Sequence, residues 1–192
     1  MRAIILTIRL KYFYLTYKGI KTIEIRKSAP KDFVGDVYEV VSKTNFEKDL
    51  MEIPENEREF FKQFVGKVGL KFTLNKVEEI MCGEHYEPEC DIGICILPEF
   101  TCNEYYTESL GHFELLEKSC LKDLSLSSAY HEDELNLYLK GNKGYAWHID
   151  NLEIFDEPKK LLNFLRVVGI YNGEEYYTSL ERAPQSWCYV KV

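Results

Sequence analysis

At Gly19 the hydrophobic period of this chain changes. Upstream, Leu10, Phe13, Tyr14 and Tyr17 recur at helical spacing, so the segment before the glycine is expected to bury one face. Gly19 supplies the left-handed residue that ends such a helix. Downstream the pattern is that of a strand, with Thr22, Glu24 and Arg26 on one face and Ile23 and Ile25 on the other. The isoleucines are expected to point inward. By the same parity Lys21 falls on the isoleucine side, and it joins Glu24 and Arg26 only if it still lies in the turn. The plain reading is an amphipathic strand with a partly exposed Glu24–Arg26 ion pair, and the functional reading is a turn that holds a polar ligand.

Other segments carry weaker versions of these two periods. Ala3 to Ile8 and Asp36 to Ser42 are expected strands. Gly66 to Leu74 alternates without a fault, with Val68, Leu70, Phe72 and Leu74 apolar and Lys67, Lys71 and Thr73 polar. Gly69 falls among the polar positions, where a missing side chain lets a neighbour come close. Pro54 to Phe64 is expected to be helical, its first turn rich in glutamate. Met81 to Thr107 is expected to be loop with one short strand around Ile92 to Ile96, because acids, cysteines and Pro88 and Pro98 interrupt any period. Phe113 to Leu121 and His131 to Leu139 have helical spacing, the second ending at Gly141. Tyr145 to Phe155 returns to a strand pattern whose parity slips near Asp150-Asn151, which suggests a bulge. Pro158 is expected to open a helix to about Arg166, and Ser186 to Val192 to form the last strand.

The fold class expected is α+β: a small mixed β-barrel with flanking helices and an inserted, acidic, partly helical lobe. With 192 residues and 45% hydrophobic content, one domain spanning 1–192 is expected, the barrel from about 1–80 and 143–192 and the insertion from about 81–142. No apolar run reaches the roughly 20 residues of a membrane span, and the first residues lack signal-peptide organisation, so a soluble, cytoplasmic protein is expected. Six cysteines, at 82, 90, 95, 102, 120 and 188, are expected to stay reduced in that compartment. The crowd from Cys82 to Cys102, with His85 inside it, has irregular gaps and no zinc-knuckle spacing, so neither a metal nor another cofactor is expected.

Charge is polarised along the chain. The formal net charge is −8, yet residues 1–31 hold eight Lys or Arg against the single acid Glu24. Residues 81–140 hold 13 acids and three lysines. A basic segment around the Gly19 turn attracts phosphate, whereas the acidic stretch repels a long polyanion. A short or single nucleotide suits that layout better than a long duplex, and ordinary solvation of surface charge is the plain alternative.

The spaced G-x-K-x-x-E-x-R pattern from Gly19 to Arg26 resembles the signature turn of the ASCH domain, a branch of the PUA-like superfamily of small β-barrels. Tyr145-Ala146-Trp147-His148-Ile149 and Arg182-Ala183-Pro184-Gln185-Ser186-Trp187-Cys188-Tyr189-Val190 are similar to the closing strands of ASCH-like proteins of bacteria and their phages. Residues 81–140 match no part of that pattern.

The resemblance implies recognition of RNA, or of a modified nucleobase or nucleotide, in a cleft beside the signature turn. Suitable residue types stand there. Lys21 and Arg26 can meet phosphate or a carbonyl, and Glu24 can accept from an exocyclic amine. Trp147 and Trp187 are candidate stacking platforms, with core packing as the plain reading of each. His148 can act as acid or base, and Gln185 and Ser186, held extended by Pro184, are further polar candidates.

The resemblance also implies two enzymatic alternatives. One is amidohydrolysis of acylated cytidine by a lysine-activated threonine. Lys21 matches the lysine, but Glu24 occupies the threonine position, leaving Thr22 as a displaced nucleophile and Glu78 or Glu79 as the distant acid. The other is metal-free cleavage of RNA using Lys21, Glu24, Arg26 and His148. A third reading is a mobile-element interaction module whose acidic insertion engages a protein partner.

Overall fold

A computed structural model of the protein describes residues 2–82, 105–109, 112–115, 127–130, 132–140, 143–172 and 174–192. In chain order the elements are β1 (Arg2–Ile8), α1 (Leu10–Tyr17), β2 (Ile23–Arg26), β3 (Gly35–Val41), α2 (Phe46–Met51), α3 (Arg58–Lys62), β4 (Val68–Leu74) and β5 (Val77–Cys82). They continue with β6 (Tyr105–Ser109), β7 (His112–Leu115), α4 (Glu132–Leu139), β8 (Gly144–His148), β9 (Asp150–Lys159), β10 (Leu165–Tyr171), β11 (Glu174–Ser179) and β12 (Trp187–Lys191). The class is mixed α+β and dominated by sheet.

Two compact units divide the chain: Met1–Lys21 with Asp32–Asn75 and Ile149–Val192, and Thr22–Lys31 with Lys76–His148. Each has its own sheet. The first holds seven strands in the order β11-β10-β12-β1-β3-β4-β9, the second five in the order β2-β8-β5-β6-β7. Among the described residues neither sheet closes on itself.

In the seven-stranded sheet β1 lies parallel to β3 and antiparallel to β12. Ala3, Ile5, Tyr38, Val40, Val68 and Val190 form one buried face with Phe155, Leu161, Phe164 and Leu180. Residues Val37 to Val41 of β3 are all buried, so the central strand has no solvent face. Apart from Glu39 the run is apolar, as a doubly covered strand requires. Gly19, at φ +70, follows α1, and Phe13 of α1 is fully buried. Gly69 serves this packing: a Cβ there would lie 2.5 Å from Phe13 Cζ and 2.5 Å from Phe64 Cδ1. Two aromatic rings, not a ligand, occupy the space its missing side chain leaves.

In the five-stranded sheet Ile25, Ile80 and Ala146 pack on Leu135 and Leu139 of α4. The strands depart from the expected pattern in two places. His112–Leu115 is strand, not the start of a helix, because it pairs antiparallel with β6. Pro158 opens no helix: β9 runs through it to Lys159, a short 3-10 turn follows at Leu161–Asn163, and β10 and β11 form a hairpin. Proline is accepted there because β9 is an edge strand, where a missing N–H costs no ladder bond. The bulge expected near Asp150-Asn151 is present: β9 takes three steps from Asp150 to Glu153 where β4 takes two from Thr73 to Lys71, and Asn151 has φ +47. The expected strand near Ile92, Gly141, and all but the first residue of the Cys82 to Cys102 crowd lie outside the described residues.

Candidate functional site

Strand β8 is the hub of the five-stranded sheet, and its register decides which side chains meet. Glu24 stands opposite Trp147, Arg26 opposite Tyr145 and Ile23 opposite His148. On its other edge Val77 faces Trp147, Glu79 faces Tyr145 and Glu78 faces Ala146. Directly paired residues share a face. One face therefore carries Glu24, Arg26, Tyr145, Trp147 and Glu79. The reverse carries Ile23, Ile25, Ala146, His148, Glu78 and Ile80.

The Glu24 face is not the solvent face of an amphipathic strand. Glu24 is 3% exposed, and Arg26 Nε lies 2.7 Å from its Oε1. Breaking one partner of such a buried pair strands the other charge, which costs about 3–5 kcal/mol. The Tyr138 hydroxyl has its pKa raised, first by burial and then through the opposed fields of Arg26, which lowers it, and Glu24, which raises it. The Lys27 ammonium sits 4.9 Å from the Tyr138 ring centre. Trp147 is fully buried, so it offers no open face on which a base can stack.

On the reverse face the sheet assembles a half-buried cluster. His148 Nε2 lies 2.5 Å from Glu78 Oε2, and Lys76 Nζ lies 2.8 Å from Glu78 Oε1. The backbone ties the same residues, since His148 N donates to Lys76 O at 3.0 Å. Burial pushes the Glu78 carboxyl up, but hydrogen bonds from Lys76 and His148 and their charges outweigh it, leaving the pKa below the usual carboxylate value. Glu78 is thus an acceptor at neutral pH. A carboxylate that only accepts puts the proton on Nε2 and the lone pair of the neutral ring on Nδ1. Between the two glutamates left open by the sequence, Glu78 is the one placed at the histidine. Glu79 is on the other face, 3.2 Å from Lys143 Nζ.

The remaining candidates stand elsewhere. Lys21 precedes β2, in the turn, and is 1% exposed, its ammonium 5.6 Å from the Tyr12 ring centre. Its backbone N–H donates to Leu15 O. Thr22 is exposed, and its N–H donates to Ser127 O at 2.7 Å. Gln185 is exposed, and the Ser186 carbonyl accepts from Thr7 N. Thr7 Oγ1 donates to Pro184 O, so β1 clamps the segment that leads into β12. Trp187 is half-buried opposite Leu6.

Two buried acids were passed over in the sequence. Glu39 is fully buried in β3, between Leu6 of β1 and Leu70 of β4. Its signal was a lone acid inside Val37-Tyr38-Glu39-Val40-Val41. Asp49, also fully buried, accepts from Arg9 through both carboxylate oxygens and holds the guanidinium pKa up.

No family model and no curated protein matches the sequence. Solved structures similar to the chain include the ASCH protein of Zymomonas mobilis, at 10% identity and TM-score 0.49 over 98% of this chain and 87% of that one. Two single-residue variants of the same bacterial protein, one tyrosine to phenylalanine and one serine to alanine, match with TM-scores of 0.45 and 0.48, again at 10% identity. They are covered to 90% and 88%, and each match spans 98% of this chain. No helix among the described residues is long and apolar enough to cross a membrane.

Proposed function

We propose that this chain binds RNA, or a modified nucleobase or nucleotide, beside the strand that carries its Gly19-to-Arg26 signature. A PUA-like barrel with residues 81–142 as its insertion belongs to the same reading, which draws on the three ASCH-like motifs. The observation that carries the ligand class is the Lys76–Glu78–His148 cluster. It offers a cation for a phosphate or carbonyl, a carboxylate acceptor for an exocyclic amine and a ring nitrogen that accepts or donates. All three groups keep contact with solvent, unlike Lys21 and Trp147. Arg26 and Glu24 then act from within, as a buried ion pair along β2 on the face that carries Trp147.

Calorimetric titration with a panel of nucleosides and short RNAs tests this. Glu78→Gln and His148→Ala are each expected to weaken the best ligand tenfold or more, and Glu79→Gln to leave it unchanged. Equal affinity across all four proteins would refute the site.

A hydrolytic reading has one specific observation in its favour, the histidine held by a carboxylate. With Nε2–H donated to Glu78, His148 Nδ1 can take the proton from an attacking water or a ribose 2′-hydroxyl, and return it to the leaving group. Glu24 does not replace the attacking threonine of the ASCH amidohydrolases, since its carboxylate is buried on Arg26. Release of acetate from acetylated cytidine, or cleavage of a short RNA, abolished by His148→Ala would establish it. The same assays with no product would leave binding alone.

A further inference from the structure

The seven-stranded sheet carries a second feature that is independent of the cluster around His148. Along β12 the side chains of Trp187, Tyr189 and Lys191 alternate onto one face, and the neighbouring β1 contributes Arg2, paired with Lys191. On the other side β10 pairs Leu165 with Lys191 and Val167 with Tyr177 of β11, which places Tyr177 on the same face. This half of the sheet thus gathers three aromatic rings and two cations from three strands, β1, β11 and β12.

Their contacts interleave. The Arg2 guanidinium carbon lies 3.6 Å from the Tyr189 ring centre, a stacking distance. Tyr189 meets Trp187 edge to face, with centres 5.5 Å apart and planes at 86°, and Phe33 approaches the same tyrosine at 5.7 Å. Lys191 Nζ stands 4.8 Å from the Tyr177 ring centre. Arg2 and Lys191 are exposed, and Trp187, Tyr189 and Tyr177 are half-buried. The exposed Gln185 lies just before the strip. At its far end the Tyr177 hydroxyl donates to Glu175, whose negative charge closes the strip to a phosphate.

Such an arrangement has a plain use in packing. Single cations stand over rings elsewhere, as Lys159 does over Phe155, whereas this strip gathers two exposed cations and three rings on one face of a chain with a net charge of −8. Rings and cations in alternation match what a flexible polynucleotide presents, a planar base followed by a phosphate. A base can lie on the indole of Trp187. A second can lie on the outer plane of the Arg2 guanidinium, extending the stack that Tyr189 begins. Lys191 then meets the phosphate between or beyond them. Four residues of strand span about 13 Å, room for two to four nucleotides. A duplex hides its base faces and gains nothing from such rings.

We propose that Arg2, Trp187, Tyr189 and Lys191 form a stacking platform for a short single-stranded polynucleotide. It goes beyond the nucleobase site on the five-stranded sheet and stands or falls separately.

The two tryptophans of this chain make the test direct, because Trp147 is fully buried and Trp187 is not. Fluorescein-labelled oligo(U), oligo(dT) and a duplex of equal length are titrated at low salt, with anisotropy and intrinsic tryptophan quenching read together. The expected result is binding of the single strands, quenching of tryptophan emission, and weak or no binding of the duplex. Comparison of the two single strands shows whether a ribose hydroxyl contributes. Tyr189→Ala is expected to weaken binding by tenfold or so, in the range of one lost base stack. Trp187→Phe is expected to abolish most of the quench while keeping most of the affinity, which guards against a variant that fails to fold. Arg2→Gln with Lys191→Gln, both at exposed positions, is expected to reduce the slope of log affinity on log salt by about 0.7 for each cation that meets a phosphate. Absence of binding to either single strand would overturn the proposal. So would binding that none of these substitutions alters, or a quench that survives Trp187→Phe. Loss of binding in His148→Ala with full binding in the strip variants would assign the polynucleotide to the other site and overturn it equally.

Discussion

The two sheets are built on different terms. The seven-stranded sheet is covered on both sides in its central strand, and its cluster of Ala3, Ile5, Tyr38, Val40, Val68, Phe155, Leu161, Phe164, Leu180 and Val190 is apolar apart from one hydroxyl. The five-stranded sheet has a smaller cluster of Ile25, Ile80, Leu135, Leu139 and Ala146. Its other face places a carboxylate and a guanidinium beside a buried indole. Apolar burial holds the first sheet and is indifferent to which neighbour supplies it. The second depends on groups that must find specific partners, the buried Glu24–Arg26 pair on one face and the half-buried Lys76–Glu78–His148 cluster on the other.

The contrast is sharpest in two substitutions of large effect. Phe72→Ala empties a fully buried position of the seven-stranded sheet and is expected to cost about 3–5 kcal/mol in denaturant unfolding. Arg26→Ala is expected to cost a similar amount, about 3–5 kcal/mol, for another reason, the charge left on Glu24. Adding Glu24→Gln should recover part of the second loss, giving a coupling of about 1 kcal/mol or more in a double-mutant cycle. Additivity of the two would mean that the two charges are not coupled.

Gly69→Ala comes next. The added methyl must displace Phe13 or Phe64, and overpacking of this kind costs about 1–3 kcal/mol. An unchanged melting temperature would show that the rings yield freely.

A pH effect separates the sheets more gently. The Glu78 pKa is depressed in the folded chain, so its contribution is present above the ordinary carboxylate value of 4.5 and is lost as pH falls through the lower folded value. Glu78→Gln is therefore expected to flatten the acid limb of the stability profile below about pH 4.5 and to leave its shape near neutrality unchanged. An acid limb identical to that of the parent would contradict the cluster. Smallest of all, Lys62→Ala removes an exposed pair with Glu59 and is expected to shift stability by less than about 0.5 kcal/mol.

Much of the seven-stranded sheet was legible. The faultless alternation of 66 to 74, the helix stop at Gly19 and the first and last strands in sequence, β1 and β12, follow from local pattern. Local pattern failed where long-range pairing decides. Pro158 and the leucines after it favour a helix on propensity, yet an edge strand accepts the proline. Phe113 to Leu121 has helical spacing, yet its first residues, Phe113 to Leu115, pair with β6. Asn45, at φ +57, starts α2 without any side-chain cap, so nothing in the sequence announced that helix. The candidate site was half legible. Parity correctly put Glu24 and Arg26 on one face but left that face exposed, because burial of both sides of β2 depends on partners far along the chain. The choice of Glu78 over Glu79 required the register of β5 on β8, a relation across 70 positions that no local spacing encodes.

The histidine itself offers the most direct measurement. Long-range proton–nitrogen NMR of the imidazoles, with His148 assigned among the four histidines by His148→Gln, reports both tautomer and ligand contact. The expected result is an Nε2–H ring whose resonances move when a recognised nucleoside or short RNA is added. An Nδ1–H ring, or resonances that stay fixed while a ligand binds, would contradict the assignment of this site.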